Sequence, residues 1–198
     1  MKLKMSKNKI TNQKKILLHT CCAPCALPII EYFKQTKLLD EVLLYFFNPN
    51  IFPREEYQKR KSAVAEISKI YDLPFLEGED DHDKWLNFLK GSLKDAPETY
   101  LENSDRCLQC FYYRLDSSIV YAKKHQFLYF ASTLQVNLYK NTTFIIQTAR
   151  ELCRNYNINF LDLPLDSYLS HKNSIELAKK YGIYRQKYCG CEFSLGAD

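Results

Sequence analysis

Seven of the eight cysteines in this 198-residue chain fall into three short clusters. Cys21, Cys22 and Cys25 form C-C-x-x-C, Cys107 and Cys110 form C-x-x-C, and Cys189 and Cys191 flank Gly190 in C-x-C, with Cys153 alone. Thiolates bind soft and borderline metals and carry two-electron redox chemistry, so these clusters point to a metal centre, a redox couple or both. Cys21 and Cys22 precede a helical stretch, whose unpaired N–H groups and dipole favour the thiolate. Adjacent residues of a regular strand face opposite ways, so both sulfurs reach one metal only if the chain turns at Ala23-Pro24. Cys107 and Cys110, three apart at the start of a helix, share one face. Together with Cys21 and Cys22 they amount to four thiolates from two segments, enough for a tetrahedral zinc or a cubane iron–sulfur cluster. Residue types alone do not choose between these metals.

Cys189-Gly190-Cys191 can close a tight disulfide only if the backbone bends sharply, which glycine allows at least steric cost. Strained disulfides are more often catalytic or regulatory than structural, although a further pair of metal ligands is the alternative reading. Cys153, on an amphipathic stretch, reads as a packing residue. Among the histidines only His19 lies beside a cysteine cluster, where it either tunes the site or orients the loop. Asp80-Asp81-His82-Asp83-Lys84-Trp85 starts like the D-x-H-x-x-G pattern of cobalamin ligation, but Trp85 stands at the glycine position, so no cobalamin is expected. Neither G-x-G-x-x-G nor G-x-x-x-x-G-K-[ST] occurs. Phe111-Tyr112-Tyr113-Arg114 and the segment Tyr181 to Tyr188 mix aromatic and basic residues, a composition that suits unpaired bases and phosphates but also ordinary core and rim positions.

The elements that must position these residues alternate. Strands are expected at Ile16 to Thr20, Val42 to Phe47, Leu73 to Leu76, Phe127 to Ala131 and Ile158 to Leu161. Helices are expected near Ala26 to Gln35, Arg54 to Tyr71, Asp83 to Lys90, Cys107 to Lys124, Thr143 to Tyr156 and Asn173 to Tyr181, with a polar stretch from Gly91 to Arg106. This order predicts a single α/β domain, residues 15–198, with a mostly parallel, roughly five-stranded sheet flanked by helices. In such sheets ligands bind beyond the carboxyl ends of the strands, which is where the first cysteine cluster falls.

Hydrophobic residues make up 46% and charged residues 26%, with five Gly and seven Pro, which excludes collagen-like, low-complexity and largely disordered chains. The formal charge of +5 misleads as a nucleic-acid footprint, because six Lys and no acid lie in residues 1–15 and the remainder is close to neutral. Residues 1–14 therefore read as a basic arm. No apolar run of about 18 residues and no signal-peptide h-region is present, so a cytoplasmic protein without membrane association is expected. A reducing cytosol argues against four structural disulfides.

The order of motifs resembles the cobalamin-independent epoxyqueuosine reductases, the QueH family. The resemblance is carried by Leu18-His19-Thr20-Cys21-Cys22-Ala23-Pro24-Cys25, by Phe47-Asn48-Pro49-Asn50-Ile51 with Glu55-Glu56-Tyr57, by Arg106-Cys107-Leu108-Gln109-Cys110 and by Tyr184-Arg185-Gln186-Lys187-Tyr188-Cys189-Gly190-Cys191. It runs from about Lys15 to Leu195. It implies reduction of epoxyqueuosine to queuosine in the wobble position of tRNA, the last step of queuosine synthesis, with an electron donor the residues do not name. It further implies a [4Fe-4S] cluster on Cys21, Cys22, Cys107 and Cys110, and a redox-active pair in Cys189 and Cys191. Some relatives carry a second iron, for which Cys25 is the candidate ligand here. Two other readings compete: a zinc-binding RNA-binding module without catalysis, and a tRNA sulfur-transfer enzyme.

Overall fold

A computed structural model describes residues 15–195 of the chain. The basic arm expected at 1–14 lies outside the described residues. Five strands, β1 (Ile16–His19), β2 (Val42–Phe46), β3 (Phe75–Glu77), β4 (Tyr129–Ser132) and β5 (Asn159–Phe160), form one sheet in the order β3-β2-β1-β4-β5. Every pairing is parallel, with Ile16 opposite both Val42 and Tyr129. Parallel strands need crossovers, and the connections carry α1 (Ala23–Gln35), α2 (Arg54–Ile70), α3 (His82–Ser92), α4 (Asp105–Lys124) and α5 (Thr142–Asn155); α6 (Ser167–Lys180) follows β5. The expected α/β architecture is therefore what the chain adopts.

β1 and β2 are continuous apolar runs because helices cover both faces of the sheet. Leu17, Leu18, Leu43 and Leu44 are wholly excluded from solvent, each side chain contributing about 1.5–3 kcal/mol. Chain order reverses at β1, whose neighbours are β2 on one side and β4 on the other, so the crevice beyond the carboxyl ends of β1 and β4 is the switch point where such sheets bind ligands.

Two helices begin earlier than the sequence pattern suggests. α1 starts at Ala23 because Cys22 takes the extended N-cap conformation (φ −165°, ψ 159°) and Pro24, with no N–H to satisfy, fits the first turn. α6 starts at Ser167, six residues before the start expected near Asn173, because the Asp166 carboxylate caps it by accepting from the Leu169 N–H at 2.8 Å. β3 lies two residues later than expected, since Pro74 cannot donate to the ladder and only its carbonyl takes part, accepting from Leu44 N–H at 2.9 Å. The polar stretch before α4 is tied down by Arg106, which donates to the carbonyls of Pro97 (3.1 Å) and Tyr100 (2.5 Å). No helix among the described residues is long and apolar enough to cross a membrane.

Candidate metal and redox site

Cys21 is the second residue beyond β1, and the chain turns there so that Cys22 caps α1 and Cys25 lies in its first turn. The turn answers the geometric difficulty of adjacent cysteines: the Cys21 and Cys22 sulfurs stand 3.8 Å apart. Cys21, Cys22 and Cys25, all buried, are the one trio of possible ligands among the described residues that converge within 4.8 Å. Thr133, just after β4, fastens the turn across the switch point. Its hydroxyl accepts from the Cys21 N–H (2.8 Å) and donates to the Cys21 sulfur (3.1 Å). Gln186 Nε2 donates to the Cys22 sulfur at 3.0 Å.

These sulfurs share charge unevenly. Hydrogen bonds from Cys22 and Cys25 hold the Cys21 thiol well below the ordinary range despite its burial, with Lys140 and Arg114 adding to the effect. The same bonds act oppositely on the partners: the Cys22 thiol is pushed up to about 11 and that of Cys25 is also raised well above the ordinary range. Of the three, Cys21 is the sulfur on which negative charge is most favoured.

The other two clusters meet each other. Cys107 and Cys189 line one cleft of about 450 Å³ with Cys25, Lys140, Arg185 and Gln186. Cys110 and Cys191 pack in one apolar cluster with Trp85 and Leu89. Burial raises the Cys107 thiol, pushes that of Cys110 up to about 12 and raises that of Cys191. Cys189 also lines a smaller chamber with Cys21, Cys22, Asn50, Arg114 and Gln186, so it borders both the N-terminal trio and the open cleft. Cys153 stands apart in the main core, 1% exposed, its thiol pushed up to about 12 by burial.

The C-terminal C-x-C is held by side chains. Arg60, buried on α2, donates from Nη1 to the Cys189 carbonyl (2.8 Å), from Nη2 to the Tyr188 carbonyl (3.1 Å) and from Nε to Glu56 (2.7 Å). Glu56 in turn accepts from the Tyr184 hydroxyl at 2.7 Å. Gly190, at φ +131°, lies against the guanidinium, and a Cβ there would come within 2.7 Å of Nη1. Its carbonyl accepts from Phe52 N–H at 2.8 Å and its N–H donates to Ser194 Oγ at 3.2 Å.

His19 is wholly buried. Its Nε2 donates to the Phe47 carbonyl (3.1 Å), which fixes Nδ1 as the acceptor from Ser132 Oγ (2.8 Å). Burial, aided by Arg114, lowers its pKa to about 3, so it is a neutral strut between β1, β2 and β4. His82 also joins two segments, with Nδ1 donating to the Pro49 carbonyl (2.8 Å) and Nε2 facing the Glu192 carboxylate (3.4 Å). Asn48 donates to the Thr20 carbonyl at 2.9 Å and accepts from Arg114, tying the Asn-Pro-Asn loop to the cysteine turn.

Three cations near the sulfurs escape the sequence reading. Arg60, whose i, i+4 spacing from Glu56 was the available signal, is one, and Arg114 is another. Lys140 is the third; burial pulls its ammonium down, but Cys21, Cys189 and Cys25 outweigh that and raise it. Buried Asn50 Oδ1, Arg114 Nε and Gln186 Oε1, on side chains that line the chamber, have no hydrogen-bond partner. Soft thiolates, surrounding cations and the unpaired Arg114 Nε–H donor together fit an anionic metal–sulfur group.

A family model described as epoxyqueuosine reductase QueH matches residues 16–197. Proteins named "Epoxyqueuosine reductase QueH" are similar along most of their length. That of Haemophilus influenzae is 32% identical over 182 residues, covering 91% of this chain and 71% of its own. That of Acinetobacter baylyi is 31% identical over 185 residues, covering 93% and 82%. That of Thermotoga maritima is 32% identical over 183 residues, covering 91% and 90%.

Proposed function

Because the chain belongs to the epoxyqueuosine reductase QueH family, we propose that it reduces epoxyqueuosine to queuosine in the wobble position of a tRNA, in the cytoplasm. Its catalytic domain in this reading is residues 15–198, with 1–14 a basic arm. The reaction removes the epoxide oxygen as water and leaves a C=C bond, consuming two electrons and two protons. Cys189 and Cys191 match that demand: two thiols becoming one disulfide release two electrons and two protons. An external donor then returns the pair to thiols.

Cys21, Cys22, Cys107 and Cys110 hold a [4Fe-4S] cluster in this reading, and Cys25 is placed to ligate a second iron. When bound, the cluster would supply one-electron transfers, and the second iron, with an open position, would supply a Lewis acid for the epoxide oxygen. A cubane spreads its thiolates farther apart than a single ion does, so Cys107 and Cys110 need not fall within the tight N-terminal trio. The protein's own part is to hold Cys21 against Thr133, to surround the sulfurs with Arg60, Arg114 and Lys140, and to present Cys189 to the cleft. The observation that carries the reading is that Cys189 lines both the open cleft and the smaller chamber of Cys21 and Cys22, so a redox thiol there adjoins substrate on one side and metal ligands on the other.

Nucleoside analysis of tRNA tests it. Cells lacking this gene and any second reductase accumulate epoxyqueuosine, and complementation restores queuosine; unchanged queuosine in the deleted strain overturns the reading. Anaerobically purified protein is coloured and contains iron, whereas a colourless protein with stoichiometric zinc returns the argument to a structural metal.

A further inference from the structure

The cleft has a rim that the chemistry at the cysteines does not use. Beyond β4, Asn137 to Lys140 make a turn in which Asn137 Oδ1 accepts from the Tyr139 N–H (2.8 Å) and the Asn137 carbonyl accepts from the Lys140 N–H (3.2 Å). This turn presents Tyr139, 72% exposed, at the mouth. The ring meets that of His171 at 5.7 Å and 90°, a perpendicular contact that props it without a stacked neighbour. Tyr168, 66% exposed, precedes His171 by three residues on α6, which places it on the same helix face. Arg185 and Lys187, both exposed, line the same cleft, neither in an ion pair among the described residues, and Glu102 is the one acid among the lining residues.

Exposed aromatic rings beside free cations are the arrangement that binds unpaired nucleotides: bases stack on the rings while cations track the phosphates. A closed apolar face would suit a protein partner better, and this rim is neither apolar nor flat. We propose that Tyr139 is a stacking platform for a nucleotide flanking the modified one, and that Arg185 and Lys187 hold the phosphates of the same unpaired strand. The proposal rests on the tRNA reading above and assigns that site's contacts outside the reacting base. Discrimination between this strand and a duplex then comes from the aromatic rim, since stacked bases in a duplex offer no free face.

Fluorescence anisotropy tests this with the full chain, purified anaerobically, and a labelled, unmodified anticodon stem-loop RNA. Tyr139→Ala weakens binding about tenfold and Tyr139→Trp retains it, as base–aromatic stacking predicts. Replacing Arg185 and Lys187 by Ala lowers the salt dependence of log K by about one per cation removed. Iron content and thermal midpoint equal to wild type show that the variants are folded. The proposal is overturned if Tyr139→Ala binds like the wild type, or if the wild type does not bind the unmodified hairpin, because neighbouring contacts must act on unmodified nucleotides. The two readings fail separately. Hairpin binding that depends on Tyr139, without any turnover of epoxyqueuosine, removes the proposed reaction and leaves the platform; turnover with Tyr139-independent binding does the reverse.

Discussion

The N-terminal and C-terminal cysteine motifs border the same space but are held in place by different means. Cys21, Cys22 and Cys25 are positioned by backbone: β1 ends, the chain turns, α1 begins, and the sheet fixes all three relative to β2 and β4. Cys189 and Cys191 lie in an irregular segment held largely by side chains, Arg60 from α2 and Ser194 three residues on, with one backbone bond from Phe52 N–H to the Gly190 carbonyl. The first arrangement is as rigid as the core and suits ligands that must not move. The second can be released by one substitution, and it suits thiols that must change partners during a redox cycle.

The largest test of that contrast replaces one cysteine from each kind of role. Cys107→Ala loses the iron–sulfur absorbance and all measurable turnover, since a cluster short of a thiolate is not retained. Cys189→Ala keeps most of the iron yet also loses turnover. Iron analysis and single-turnover assays on the two variants read this directly. If Cys189→Ala empties the metal site, the C-terminal pair are ligands and the division of labour fails.

The contrast also explains what could be read in advance. β1, β2 and the cysteine motifs are local signals, an apolar run or a spacing, and the α/β order followed from them. The start of α1 was hidden because Ala23-Pro24 reads as a turn, while Pro24 is in fact pre-set for a first helical turn. That Cys25 converges with Cys21 and Cys22 depends on that same early start. Arg60 and Lys140 carry no motif. Arg60 meets Cys189 across 129 positions of chain, and Lys140 reaches the sulfurs through the packing of the turn after β4. Such long-range side-chain placement is set by tertiary packing, on which single-sequence patterns are silent.

A middle-sized effect comes from the clamp itself. Arg60→Ala strips the Cys189 and Tyr188 carbonyls of their donor and leaves Glu56 buried with only Tyr184, a loss of about 3 kcal/mol in stability. Iron content stays near wild type because no proposed ligand is touched, while turnover falls at least about tenfold as Cys189 loses its fixed position. Arg60→Lys recovers the charge but not the fork that serves both carbonyls and Glu56, so it restores stability only in part. Denaturation curves with iron analysis check this; equal loss of iron and turnover in Arg60→Ala makes the clamp a general support for the fold.

The smallest effect belongs to Cys153, which lies in none of the three clusters. Cys153→Ala removes one buried sulfur and costs about 1 kcal/mol at pH 7, with iron content and turnover unchanged. Its pH dependence separates packing from chemistry. Burial pushes the folded thiol from an ordinary 9.0 up to about 12, so above pH 9 the unfolded chain sheds this proton and the folded chain does not. This group accordingly costs the wild type on the order of 1 kcal/mol as the pH rises to 10, and the alanine variant is spared that loss. Urea unfolding of both proteins under reducing conditions should therefore show the variant less stable at pH 7 and equal or slightly more stable at pH 10. A constant difference between the two pH values means that Cys153 ionises in the folded protein, which would make it a reachable thiol rather than a packing residue.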